Sequence, residues 1–158
     1  MAVLGMRHAV LWVTNPEASA LFYSEVLGLE QRAKTGAAIF LSSPSSETDH
    51  DLGLFPASSP NPSGRSAGLY HLAWEVATLA DLVTTREAMI RTGSHTGESD
   101  HGASKSIYGK DPDGIEFEVM WEVPLELLED TQIKTAVLDL NADIAKFGSD
   151  TPGRGATT

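Results

Sequence analysis

The sequence predicts an α+β fold built from one pattern used twice: a strand, a helix, then three short strands. Three observations carry this. Two segments rich in β-branched and aromatic residues, "HAVLWV" (8–13) and "YHLAWEV" (70–76), read as strands, and each is followed by a segment with helix signals. Their histidines, His8 and His71, lie 63 residues apart, and the same offset lays Asn15 on Thr78, one helix cap upon the other. A stretch dense in Pro, Ser and Gly, "PASSPNPSGRSAG" (56–68), separates the halves. An internal duplication is the economical explanation.

In the first half, "TNPEASALFYSEVLGLE" carries a cap at Asn15, a proline suited to the first helical position at Pro16 and a stop at Gly28. Leu21, Phe22, Val26 and Leu27 are its expected apolar stripe. "EQRAKT", "AAIFLSS" and "DLGLF" then read as short strands. In the second half, "TLADLVTTREAMIRTG" opens on a capping box of Thr78 and Asp81 and closes at Gly93. Strands follow in "SKSIYGK" and "IEFEVMWE". "GSHTGESDHG" reads as a polar loop that exposes His95. Beyond Trp121, Leu128, Ile133, Val137, Leu140 and Ile144 have helix-like spacing. The expected organisation is a single domain over 1–150: module one at about 5–56, a linker at 57–68, module two at about 69–122 and a C-terminal segment at 123–148, before a flexible tail at 149–158.

Composition narrows the classes of function. With 41% apolar and 21% charged residues the chain is ordinary for a globular protein. A net charge of −11 argues against nucleic acid or an anionic membrane as partner, since both reward basic patches. The absence of cysteine excludes disulfides, thiolate metal sites and thiol nucleophiles. No apolar run is long enough to span a bilayer and "MAVLGMRH" does not read as a signal peptide, so the expected location is cytoplasmic.

A single strand histidine is ordinarily structural. His8 and His71 are different, because they occupy equivalent places in duplicated halves and a pseudo-twofold axis brings equivalent strands together. On the last strand Glu116, Glu118 and Glu122 share one face. Glu116 and Glu122 read as a solvated acidic edge. Glu118 sits mid-strand among Phe117, Val119 and Met120, where a carboxylate is costly unless paired or metal-bound. Two imidazoles and one carboxylate leave three metal positions open, a set that suits non-haem Fe(II).

The run "HGASKSIYGKDPDGIEFE" (101–118) is similar to the signature of type I extradiol ring-cleavage dioxygenases, within the vicinal oxygen chelate superfamily. That signature is a histidine, an apolar residue and tyrosine, an Asp-Pro-x-Gly-like corner, then glutamate. Here these are His101, Ile107–Tyr108, Asp111–Gly114 and Glu118, with Ser99 departing from the usual residue two places before the histidine. "DHDLGLF" resembles the segment in which the family presents another histidine, here His50. The resemblance spans roughly residues 5–121. It implies two paired βαβββ modules in a cupped, barrel-like mixed sheet around a metal. It also implies His8, His71 and Glu118 as ligands of Fe(II), with Mn(II) possible, and His50, His101 and Tyr108 as catalytic residues. The implied substrates are a small aromatic 1,2-diol and O₂, and the implied product is a hydroxymuconic semialdehyde-type compound. The family's two-domain enzymes have four modules. This chain has one pair, and a homo-oligomer, dimer or larger, is expected to cover the face left open.

The same superfamily contains glyoxalases, other lyases, epimerases and drug-binding resistance proteins without catalysis. Glyoxalase I takes four protein ligands, two from each half. At the offset of 63 the first-half counterpart of Glu118 is Phe55, which cannot ligate, so three ligands and the dioxygenase are favoured. The non-catalytic binder ranks last because the ligand triad is present.

Overall fold

In each half, the first strand meets the last in parallel, and everything between them is the crossover that this pairing demands. The computed structural model describes residues 3, 5–59, 68–129 and 135–156. The chain divides into two units, Met1–Ser66 with Asp111–Gly114, and Ala67–Lys110 with Ile115–Thr158.

The first unit runs β1 (Ala9–Val13), α1 (Pro16–Leu27), β2 (Glu30–Thr35), β3 (Ala38–Ser42) and β4 (Leu52–Pro56). Its sheet has the order β1-β4-β3-β2, with β1 parallel to β4 and the other pairs antiparallel. Asn15 starts α1 by accepting the amides of Glu17 and Ala18, and Gly28 ends it in the left-handed conformation (φ 67°). The buried stripe is Pro16, Ser19, Ala20, Tyr23 and Val26. Leu21, expected inside, is 73% exposed. Tyr23 takes the inner position, 1% exposed, because its hydroxyl has a buried acceptor: it donates to Asp111 Oδ2 at 3.0 Å, on the 111–114 turn that belongs to this unit. Burial first, then the Asp111 charge, drives the Tyr23 pKa upward, so the phenol stays a donor. Asp113 on the same turn accepts the Thr14 amide and hydroxyl.

The second unit repeats the plan: β5 (His71–Glu75), α2 (Leu79–Thr92), β6 (His95–Asp100), β7 (Ser104–Lys110) and β8 (Glu116–Glu122), in sheet order β5-β8-β7-β6 with β5 parallel to β8. The capping box of Thr78 and Asp81 forms as expected. Neither four-stranded mixed sheet closes into a barrel. Gly109 lets α2 approach its sheet, since a Cβ there would stand 2.6 Å from Met89 Cε and 2.8 Å from Phe117 Cζ.

Three expectations change. The polar run at 95–100 is not a loop but the edge strand β6, where backbone pairing with β7 outweighs weak strand propensity. His95 is accordingly part-buried, its side chain 22% exposed, with Nε2 3.5 Å from Glu98 Oε2. Among the described residues, the helix-like spacing after Leu128 produces α3 over Leu140–Phe147. Before it stand a 3₁₀ turn at Leu125–Leu127 and an antiparallel bridge between Asp100 and Ala136, while Ile133 lies outside the described residues. Finally, the segment read as a flexible tail is tied down as far as Gly155. Ser149 O accepts the Ala80 amide, and Trp121 Nε1 donates to Thr151 O. The amides of Gly153, Arg154 and Gly155 reach Ala77 O, Glu122 O and Glu75 Oε1. Most of the expected linker, 60–67, lies outside the described residues. Among the described residues no helix is long and apolar enough to cross a membrane.

Replacing Tyr23 with Phe removes the donor to buried Asp111 and should cost about 1–3 kcal/mol of unfolding free energy. Urea denaturation reads this directly, and an unchanged midpoint would show that the hydrogen bond contributes nothing.

Candidate functional site

In the second unit, strand register brings predicted residues together. On β8 Glu118 stands opposite Ala73 of β5 and opposite Tyr108 of β7. His71, two residues from Ala73, therefore shares its face. The side chains meet accordingly. His71 Nε2 is 3.1 Å from Glu118 Oε2, Tyr108 Oη donates to Glu118 Oε1 at 3.1 Å, and His101 Nε2 lies 2.8 Å from Tyr108 Oη. Four of the six residues singled out in the sequence thus form one connected chain. Glu122, assigned to a solvated edge, lies 3.6 Å from the Arg154 guanidinium.

Glu118 is 8% exposed, yet among the described residues its oxygens meet an imidazole and a phenol, neither a fixed cation. A buried carboxylate without a permanent positive partner is costly. His71 adds a second unmet need: its Nδ1 is buried without a hydrogen-bond partner. A nitrogen and a carboxylate oxygen facing each other are donors that a divalent cation accepts, and its charge is what this carboxylate lacks. These two residues fit a metal. Among the described residues, however, no three His, Asp or Glu side chains already stand together as a cage. Burial, and then the Glu118 charge and hydrogen bond, push the Tyr108 pKa up to about 12.

In the first unit the other two predicted residues meet. The rings of His8 and His50 stack with centroids 4.4 Å apart, and Phe40 meets His50 edge-on at 5.0 Å. His8 immediately precedes β1, and His50 ends the loop into β4. The sequence reading passed over the residue that shapes this loop. Asp51 accepts the Ser43 amide (2.8 Å) and the hydroxyls of Ser46 (2.6 Å) and Thr48 (2.8 Å). Burial works to raise the Asp51 pKa, but these hydrogen bonds together outweigh it and hold the carboxyl below its ordinary value. The signal was present in "SSPSSETDHD", a run of Ser, Thr and Asp able to bond its own backbone. Asp49 Oδ2, 2.9 Å from His50 Nδ1, orients that ring from outside.

Glu118 faces Ala73, and the first-unit residue opposite the equivalent Val10 is Gly53, not Phe55. Short insertions between the strands shift the offset. Gly53 has no side chain to offer a metal, so this position supplies no counterpart of Glu118.

A sequence model of the Glyoxalase/Bleomycin resistance protein/Dioxygenase superfamily matches residues 5–119. The chain belongs to this superfamily. Among curated proteins, the manganese-dependent 2,3-dihydroxybiphenyl 1,2-dioxygenase of Geobacillus genomosp. 3 is 30% identical over 121 residues, covering 73% of this chain and 36% of that protein. The catechol-2,3-dioxygenase of Bacillus subtilis (strain 168) is 28% identical over 117 residues, covering 74% of this chain and 41% of that protein. The match thus spans about two-fifths of the curated relatives' length. A glyoxylase/bleomycin resistance protein/dioxygenase domain from Frankia sp. EAN1pec superposes with a TM-score of 0.62 at 22% identity, covering 77% of this chain and 93% of that one, which shows the superfamily fold. Divalent metals occur in the superfamily, and the Geobacillus relative is named for its manganese.

In metal-free protein, Glu118→Gln should lower the Tyr108 pKa from about 12. It should stop short of the ordinary tyrosine value of about 10, because burial, the larger cause, remains. Carbon-13 NMR of labelled tyrosine across alkaline pH measures this, and identical Tyr108 titrations in both proteins would exclude coupling to Glu118.

Proposed function

We propose that the protein is a metal-dependent extradiol dioxygenase that opens the ring of an aromatic 1,2-diol with O₂. The observation that carries the reading is the chain His71–Glu118–Tyr108–His101 on one sheet face, in which a buried carboxylate lacks a fixed cation. Two curated relatives named as diol-cleaving dioxygenases support it. His8, His71 and Glu118 are the proposed ligands of Fe(II) or Mn(II). When bound, the metal supplies a Lewis-acidic centre on which diol and O₂ meet.

The remaining roles fall to side chains of this chain. Glu118 is held in place by the Tyr108 hydroxyl at Oε1, which leaves Oε2 on the His71 side. Tyr108, with its pKa pushed up to about 12, keeps its proton through the neutral range and so remains a hydrogen-bond donor. His101 Nε2, in reach of the phenol oxygen, can pass a proton to or from a substrate hydroxyl placed beside the pair. At His50 the Asp49 carboxylate favours the proton on Nδ1, leaving Nε2 free as the accepting nitrogen. Stacking on His8 and the edge of Phe40 fix the plane of that ring. Both atoms of O₂ enter the product, a ring-opened hydroxymuconic semialdehyde-type compound.

The test is to purify the protein anaerobically with Fe(II) or Mn(II), add catechol or 2,3-dihydroxybiphenyl with air, and follow yellow product together with O₂ uptake. Stoichiometric metal without turnover of any diol would sink the reading. Glu118→Ala should lose the metal, measured by elemental analysis, and a fully metallated variant would remove Glu118 from the ligand set. His50→Ala should retain metal and lose about 10²–10⁴-fold in kcat. Loss of metal in that variant would instead make His50 a ligand.

A further inference from the structure

Residues of β7 alternate between the two faces of its sheet, so that Lys105 lies on the face opposite Tyr108. Its side chain is 5% exposed, and Nζ sits between two carboxylates, 2.6 Å from Asp100 Oδ1 and 3.2 Å from Asp143 Oδ1. The Phe147 ring lies 5.9 Å from the same nitrogen. Asp100 is the last residue of β6, immediately before His101, while Asp143 and Phe147 belong to α3. A buried ammonium is costly unless carboxylates stay close to it, so this cluster holds its parts together.

What it holds is the turn that carries His101. Asp100 Oδ1 also accepts the Gly102 amide at 2.7 Å. The Asp100 backbone exchanges two hydrogen bonds with Ala136, at 3.0 and 2.9 Å. Gly102 adopts φ 77°, a conformation only glycine takes easily, and the His101 amide closes the turn on Ser104 O at 2.9 Å. The imidazole then reaches Tyr108 Oη from a backbone fixed on the other side of the sheet.

We propose that Lys105 is a positioning residue for His101: by clamping Asp100 to Asp143 it ties the β6–β7 turn to α3 and sets the imidazole against Tyr108. Its catalytic meaning rests on the proposed use of His101, whereas its structural content does not. Stability alone is a weak reason for such a cluster, because well-packed apolar residues commonly replace a buried ion group at no loss. Fixing the direction of a turn is something apolar residues do poorly.

Two variants of the full-length protein test this. Lys105→Met removes the clamp. Asp143→Asn keeps an acceptor and the Lys105–Asp100 contact but weakens the tie to α3, and so retains the fold if Lys105→Met does not. The first readout is independent of activity: nitrogen-15 NMR of labelled histidine in metal-free protein. The His101 ring signals should move in Asp143→Asn while those of His8 and His50 stay in place. The second is steady-state turnover of metal-loaded enzyme. Metal content and KM should hold while kcat falls by about tenfold to a hundredfold, the scale of a misplaced catalytic group. Unmoved His101 signals in a folded variant would overturn the proposal, as would a loss confined to stability. Shifted His101 signals in a protein whose wild type turns over no diol would instead sustain the positioning and refute the dioxygenase reading.

Discussion

The pairing on which the site depends is the parallel contact of β5 with β8. Parallel neighbours cannot be joined by a short turn, so a helix and two strands must intervene. That detour lets His71, at the start of the module, stand 3.1 Å from Glu118, near its end. It also fixes which face they share. Because side chains alternate, a slip of one residue between β5 and β8 would turn Glu118 toward α2 and Phe117 toward His71. The register is held by the apolar set on the other face, Phe117, Val119 and Trp121, each at most 1% exposed. The core of the module and the placement of its chemistry are therefore one constraint.

The two faces of this sheet bury carboxylates in opposite ways. On the reverse face Asp100 and Asp143 share the ammonium of Lys105, a cation supplied by the chain itself. Asp143 nevertheless has a raised pKa, because burial outweighs the help from Lys105. On the front face Glu118 has an imidazole and a phenol in place of a fixed charge. A cluster that carries its own cation suits a brace. A carboxylate whose positive partner is left to be provided from outside suits a place where something binds. In the first unit Gly53 stands where the register would put such a residue, and the predicted residues His8 and His50 stack there instead.

Much of this was legible in the sequence because the signals were strong and repeated. Helix caps at Asn15 and Thr78, stops at Gly28 and Gly93, and the 63-residue echo of His8 in His71 give both modules their plan. His71 and Glu118 could be singled out from their places on recognisable strands, whereas Tyr108 and His101 were singled out through the resemblance of 101–118 to a known signature. What was not legible depended on tertiary partners. Leu21 reads as more apolar than Tyr23, yet Tyr23 is inside because Asp111, far along the chain, offers its hydroxyl an acceptor. Strand β6 has the composition of a loop and is a strand only because β7 lies beside it. Lys105 gave no sign of burial, since the carboxylates that compensate it come from a strand end and from a helix near the C-terminus. The last segment, rich in Gly and Pro, is held largely by backbone hydrogen bonds, which composition does not encode.

The order of strands also governs the time course of assembly. Hairpin contacts such as β7 with β8 close over a few residues, whereas β5 and β8 must close a loop of the whole intervening segment, at a larger entropic cost. A chain emerging from the ribosome therefore exposes His71 long before its carboxylate neighbour exists. The pairing of His71 with Glu118 is therefore a property of the finished module and not of its parts.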